Sequence, residues 1–244
     1  MKQARWTNGK SLLSGAERSR TDAKRSPLEL KRIVIVDDHP LFRKGLEQLI
    51  SSHNGFAVCG EAGNAAEAMA VIRQIVPDLV IVDLSLPGAN GIELIKNIRA
   101  EFPKMLILVL SMHDEELYAL RSIRAGAQGY VMKQEALTSI TTAIHELFNG
   151  RPYLSAAMSA KLITSFAQAP GAGKSRLTDK LSDRELEILE LIGKGHEVRD
   201  IAKELHLSPK TVETHRAHIK EKLKLANARQ VARFAVQWVT EQSG

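Results

Sequence analysis

At 244 residues, with hydrophobic residues at 44% and aromatics at 5%, the chain can hold one large domain or two modest ones and can fill real cores. No apolar run approaches the ~18 residues of a membrane helix, "MKQARWTNGKSLLSG" has no apolar centre for a secretory signal, and the single cysteine, Cys59, excludes an intrachain disulfide or a multi-cysteine metal site. The formal net charge of +6 comes entirely from residues 1–32, where nine Lys or Arg face three acids, while the remaining bases and acids cancel.

Residues 1–31 therefore form a polar, basic leader without hydrophobic periodicity, expected to be disordered. It reads as a nucleic-acid arm, an expression remnant or a misassigned start. The cytoplasm is the expected compartment, with no membrane partner. Over residues 32–150, short apolar runs alternate with amphipathic stretches. "RIVIVDD", "FAVCGEA", "DLVIVDL", "KMLILVLS" and "GYVMK" have the continuous apolar character of strands buried on both faces, with Cys59 in the second as a core residue. "PLFRKGLEQLISS", "NAAEAMAVIRQI", "GIELIKNIRAEF", "DEELYALRSIRAG" and "ALTSITTAIHELFNG" between them repeat apolar residues at helical spacing. Five β-then-α units of about twenty residues predict an α/β domain with a doubly wound parallel sheet.

Residues 151–178 read as a linker, with one helix in "SAAMSAKLITSFAQ" followed by the Pro-, Gly- and Ser-rich "APGAGKSRLTDK". "APGAGKS" imitates the end of a phosphate-binding loop at Gly173, Lys174 and Ser175, but Gln168 stands where its first glycine belongs. From 179 to 244 the pattern becomes all-α. "SDRELEILELIGKG" opens with a Ser182/Glu185 capping box and ends in glycine, and "EVRDIAKELHL" follows. "SPKTVETHRAHIKEKLKL" begins with Ser208 as N-cap and Pro209 at the first helical position, and "NARQVARFAVQWV" closes the series. Two short helices joined by a tight turn, the second longer and basic, predict a helix-turn-helix.

Chemistry concentrates at the strand ends of the α/β domain: Asp37 and Asp38 after the first, Asp83 after the third, Ser111 at the fourth and Lys133 after the fifth. In a sheet of order 2-1-3-4-5 these converge on one carboxyl edge. Three carboxylates so close repel one another unless a cation intervenes, and oxygen ligands select Mg²⁺. Transfer of a phosphoryl group to a carboxylate fits, with the metal and a lysine ammonium offsetting the phosphoryl charge. Otherwise Asp37 and Asp38 merely cap the next helix and Lys133 is a solvated surface residue.

"VIVDDHPLFRKGL", "DLVIVDLSLPGANGIEL", "LVLSMHDE" and "GAQGYVMK" resemble the receiver domain of two-component response regulators of the NarL/FixJ type. The resemblance implies Asp83 as phosphoacceptor, Asp38 as the main side-chain Mg²⁺ ligand with Asp37 assisting, and the Ser85 carbonyl as a backbone ligand. It implies Lys133 as the contact to the phosphoryl group, and Ser111 and Tyr130 as switch residues, the tyrosine ring turning inward as the hydroxyl moves. A histidine kinase is the implied phosphodonor.

"LSDRELEILELIGKGHEVRDIAKELHLSPKTVETHRAHIKEKL" resembles the LuxR-type helix-turn-helix over its whole length, giving a four-helix domain. At ~100° per residue, Val212, Ile219 and Leu223 face inward with His215 and Arg216 at the borders. Lys210, Glu213, Thr214, Ala217 and Glu221 face outward, towards the major groove of double-stranded DNA. That face lacks an arginine or asparagine for bidentate base contact. Glu213 could accept from a cytosine amine, and Thr214 with Ala217 could meet a thymine methyl. Lys210, Thr211, Arg216, Lys220 and Lys222 are cast as phosphate contacts. His215 and His218 read as packing or phosphate partners rather than metal ligands. A homodimer on two half-sites is expected, with RNA polymerase as a further candidate partner. Val231, Phe234, Ala235, Trp238 and Val239 form an apolar stripe that either closes the small core or supplies the dimer surface. A phosphorylation-controlled transcription factor is the expectation; a constitutive interaction module and an enzyme with an aspartyl-phosphate intermediate are the rivals.

Overall fold

The computed structural model describes residues 30–113, 115–160 and 177–242. The leader up to residue 29, most of the expected linker helix and the phosphate-loop imitation lie outside the described residues.

Strands β1 (Lys31–Val36), β2 (Phe56–Ala62), β3 (Leu79–Val82), β4 (Leu106–Ser111) and β5 (Gly129–Met132) form one parallel sheet in the order β2-β1-β3-β4-β5. The period of two divides the apolar runs between two cores. Ile33, Ile35, Leu79, Ile81, Leu108 and Leu110 point to the layer of α1 (Pro40–Ser51) and α5 (Ala136–Phe148). Val34, Val36, Val80, Val82, Ile107 and Val109 point to the layer of α2 (Ala65–Ile75), α3 (Gly91–Glu101) and α4 (Glu115–Ala125). Register does the positioning: Val36 pairs with Val82 and Val82 with Val109, so the residues that follow emerge at one level.

Asn64 caps α2 through the Glu67 amide and Asn90 caps α3 through the Ile92 amide. After β3 the chain turns through a small antiparallel hairpin, Ser85–Leu86 against Ala89–Asn90, with Gly88 at φ 72°. Gly91 then starts α3 so close to the strand end that a Cβ would lie 2.4 Å from the Asp83 carbonyl oxygen.

Four helices make the second unit: α6 (Asp183–Gly193), α7 (Val198–Glu204), α8 (Pro209–Lys222) and α9 (Ala228–Gln242). The Ser182/Glu185 capping box forms in both directions, and Ser208 caps α8 with Pro209 at its start. No helix among the described residues is long and apolar enough to cross a membrane.

Candidate functional site

Asp37 and Asp83 stand at the ends of adjacent strands with side chains 3% and 1% exposed. Like charges this deep need a counter-ion, and Lys133, itself 7% exposed, places its ammonium 2.6 Å from Asp37 Oδ2 and 2.7 Å from Asp83 Oδ2. Lys133 is thus no solvated surface residue. Burial pushes the Asp83 carboxyl above its usual range, with Lys133 opposing and Asp37 reinforcing the rise. Burial alone would lower the Lys133 ammonium, but the two carboxylates hold it above its usual value. The Ser85 amide donates to Asp83 Oδ1 at 3.1 Å.

The N-cap of α1 is His39, with no side-chain cap bond, so Asp37 and Asp38 are not cap residues. Asp37 Oδ1 accepts from the His39 amide at 2.8 Å. Asp38 Oδ1 is buried and accepts no directed hydrogen bond, although His39 Nδ1 lies 2.7 Å away. Asp37, Asp38, His39 and Asp83 offer atoms within 4.8 Å of one another, a cluster able to hold a metal ion. The orphaned Asp38 oxygen and the mainly carboxylate donor set fit a hard cation.

Ser111 is fully buried at the end of β4 and accepts from the His113 amide at 3.1 Å. Tyr130 is 1% exposed and its hydroxyl donates to the His113 carbonyl at 2.8 Å. The ring therefore lies inside the domain.

On α8, Val212 and Ile219 are fully buried and Leu223, its C-cap, is 6% exposed, while His215 and Arg216 sit half-buried at the border. Lys210, Glu213, Thr214, Ala217, Lys220, Glu221 and Lys222 are exposed and Thr211 is intermediate. Glu213 accepts from Arg216 at 2.9 Å, which pairs the acid expected at a base edge with the guanidinium expected at a phosphate. Glu185, His215 and His218 also approach one another, but the Glu185 carboxylate already accepts from Lys222 at 2.6 Å and from the Ser182 amide at 2.7 Å. Val231, Ala235 and Trp238 on α9 are buried against α6, Phe234 and Val239 are half-buried, and Val236, outside the expected stripe, is 50% exposed.

Sequence reasoning missed the surface joining the two units. Glu187 and Glu190 of α6 are buried against the α/β domain: Asn90 Nδ2 donates to Glu187 at 2.7 Å and the Tyr118 hydroxyl to Glu190 at 2.8 Å. Arg121 donates to Asp183 and to the carbonyls of Leu181 and Thr178, and Lys96 donates to Asp183. His113 Nδ1 lies 3.3 Å from Glu190 Oε2. Burial would raise Glu190, but the bond and charge of His113, helped by Lys194, hold it down at about 2. Glu187 goes the other way: its burial outweighs Arg184, His113 and Asn90 and lifts its carboxyl. The available signal was the run of acids at 183, 187 and 190, spaced to share one helix face.

Residues 33–145 match the family described as response regulator receiver domain, and residues 179–235 match the bacterial regulatory proteins of the luxR family. The oxygen regulatory protein NreC of Staphylococcus carnosus is 35% identical over 210 residues, 84% of this chain and 97% of that protein. A crystal structure of a LuxR-family two-component response regulator from Aurantimonas sp. is 37% identical, with a TM-score of 0.53 over 57% of this chain and 99% of that one. RcsB of Salmonella enterica serovar Typhimurium, solved bound to promoter rprA with the phosphomimetic BeF3-, is 28% identical, with a TM-score of 0.58 over 85% of this chain and 98% of that one.

Proposed function

The chain belongs to the two-component response regulators that join a receiver domain to a LuxR-type helix-turn-helix, and on that premise we propose that Asp83 accepts the phosphoryl group that controls its DNA binding. The single observation carrying this reading is the buried triad in which Lys133 bridges Asp37 and Asp83. We take residues 32–150 as the receiver, 151–178 as the linker and 179–244 as the DNA-binding domain.

An Asp83 carboxylate oxygen attacks the phosphorus of a phosphohistidine on the partner kinase. The new O–P bond forms as the N–P bond breaks, and the departing imidazole keeps the electron pair and takes up a proton. Asp38, Asp37, Asp83 and the Ser85 carbonyl would hold Mg²⁺, which when bound offsets the charge on the phosphoryl oxygens. Lys133 turns from the two carboxylates to a phosphoryl oxygen, and the Ser111 hydroxyl donates to another. The Tyr130 hydroxyl, bonded to the loop that follows Ser111, is placed to report that movement.

Intact mass after incubation with Mg²⁺ and acetyl phosphate tests the assignment. Wild type should gain one phosphoryl group, ~80 Da, and Asp83→Ala should gain none. A folded wild type that gains nothing overturns the reading. On the DNA side, the exposed face of α8 supports groove entry and a homodimer supplies the contacts that one small unit lacks. Duplexes selected from a random pool should carry paired half-sites about one helical turn apart; single half-sites would refute the dimer.

A further inference from the structure

All four polar atoms of His113 are engaged, each with a different functional part. Its amide donates to Ser111 Oγ at 3.1 Å and its carbonyl accepts from Tyr130 at 2.8 Å. Its Nε2 lies 3.0 Å from Ser85 Oγ and its Nδ1 lies 3.3 Å from Glu190 Oε2. An ionised carboxylate only accepts, so the Nδ1 carries a proton that it donates to Glu190. Three of these partners belong to the receiver, and one of them, Ser85, is the neighbour of Asp83 through its amide; the fourth belongs to α6 of the DNA-binding domain.

We infer that His113 is a positioning residue for phosphoryl transfer, through which the docked helix-turn-helix domain sets how readily Asp83 is phosphorylated. The inference rests on the phosphoacceptor reading of Asp83. Ser85 sits on the hairpin beside the acceptor and its amide donates to Asp83 Oδ1, so the imidazole bond to Ser85 fixes that hairpin. Glu190 in turn is held by the Tyr118 hydroxyl at 2.8 Å and by Lys194 at 2.6 Å. The imidazole packs against the Tyr118 ring at 4.4 Å between centroids, with 16% of its side chain exposed. Any shift of Ser111 towards a phosphoryl oxygen must displace the amide that it accepts from, and with it the link to Glu190. Coupling of this kind is reciprocal: what phosphorylation loosens, loosening favours phosphorylation. The outward residues of α8 stay exposed in the docked arrangement, so the contact acts on the acceptor site rather than by covering the DNA-reading face.

The full chain carrying His113→Gln, His113→Asn, Glu190→Gln or the double change His113→Gln with Glu190→Gln provides the test. Glutamine places its amide where Nε2 stands and keeps the Ser85 link; asparagine reaches the position of Nδ1 and keeps the Glu190 link. Time courses of mass gain with Mg²⁺ and acetyl phosphate are read beside amide hydrogen exchange along α4 and α6. His113→Gln and Glu190→Gln should each be phosphorylated about fivefold faster or more and lose exchange protection along α6, and the double variant should be no faster than either. His113→Asn should keep wild-type protection along α6. A wild type that gains no phosphoryl group overturns the acceptor reading and this inference with it. A phosphorylated wild type that Glu190→Gln matches in both rate and exchange overturns the inference alone.

Discussion

Lys133 holds two like charges together in a space with little water, and its removal leaves Asp37 and Asp83 to repel one another. Lys133→Ala should lower stability in EDTA by about 3 kcal/mol and recover part of it when Mg²⁺ is added, because a cation can replace the ammonium between the carboxylates. Thermal unfolding with and without the metal measures both effects; an equal loss in both conditions would sink the idea. Glu190 titrates in a different range. Its folded value of about 2 lies below the ordinary 4.5, so its contribution is fully present above about pH 4.5 and is lost as pH falls from there to about 2. His113 is raised, burial lowering it but Glu190, Glu187 and Asp83 outweighing that, and so stays protonated across the window. Up to about 3 kcal/mol is at stake, and hydrogen exchange along α6 should rise over that interval in wild type but not in Glu190→Gln.

At the scale of elements, helix starts decide where chemistry can stand. Gly91 admits α3 within contact of the strand that presents Asp83, and an added Cβ would meet backbone at 2.4 Å and 2.5 Å rather than a side chain able to move. Gly91→Ala should cost about 2 kcal/mol in denaturant unfolding and slow phosphorylation, since the displaced atoms are the Asp83 carbonyl and Leu84. On α8 the proposed role of the lysines is to contact phosphates, which positions without specifying. Lys220→Ala should weaken binding evenly across sequences and reduce the salt slope of log affinity by about 1, whereas Glu213→Gln should change sequence preference. Both are read from binding titrations at several salt concentrations. These elements were legible in the sequence because each is written locally: Ser182 with Glu185, Ser208 with Pro209, and an apolar run that ends in acid.

Across the whole molecule, the core on the α2, α3 and α4 side of the sheet runs on into the second unit, where Leu186, Ile188 and Leu189 of α6 join the same buried cluster as Val80, Ile95 and Tyr118. Docking is also polar, through Asn90, Tyr118, Arg121 and His113 meeting Asp183, Glu187 and Glu190. Buried acids of this kind reward a matched partner and penalise its loss. Tyr118→Phe leaves Glu190 with one acceptor bond fewer and should loosen docking while each domain stays folded, visible as faster exchange in α4 and α6 at unchanged far-ultraviolet dichroism.

The sequence by itself determined the strand order's raw material, the acids and lysine at the strand ends, the helix caps and the inward and outward faces of α8, because period, capping and turn chemistry act between residues close along the chain. Whether Val231, Ala235 and Trp238 fill a core was open in the sequence, and only packing against α6 buried them. Tertiary structure alone decided that Lys133 bridges two carboxylates, that the Tyr130 hydroxyl reaches the His113 carbonyl, and that His113 meets Glu190, 77 residues away in the chain. Such contacts arise from burial and from the meeting of two units, and no local pattern encodes which distant donor a buried acid will find.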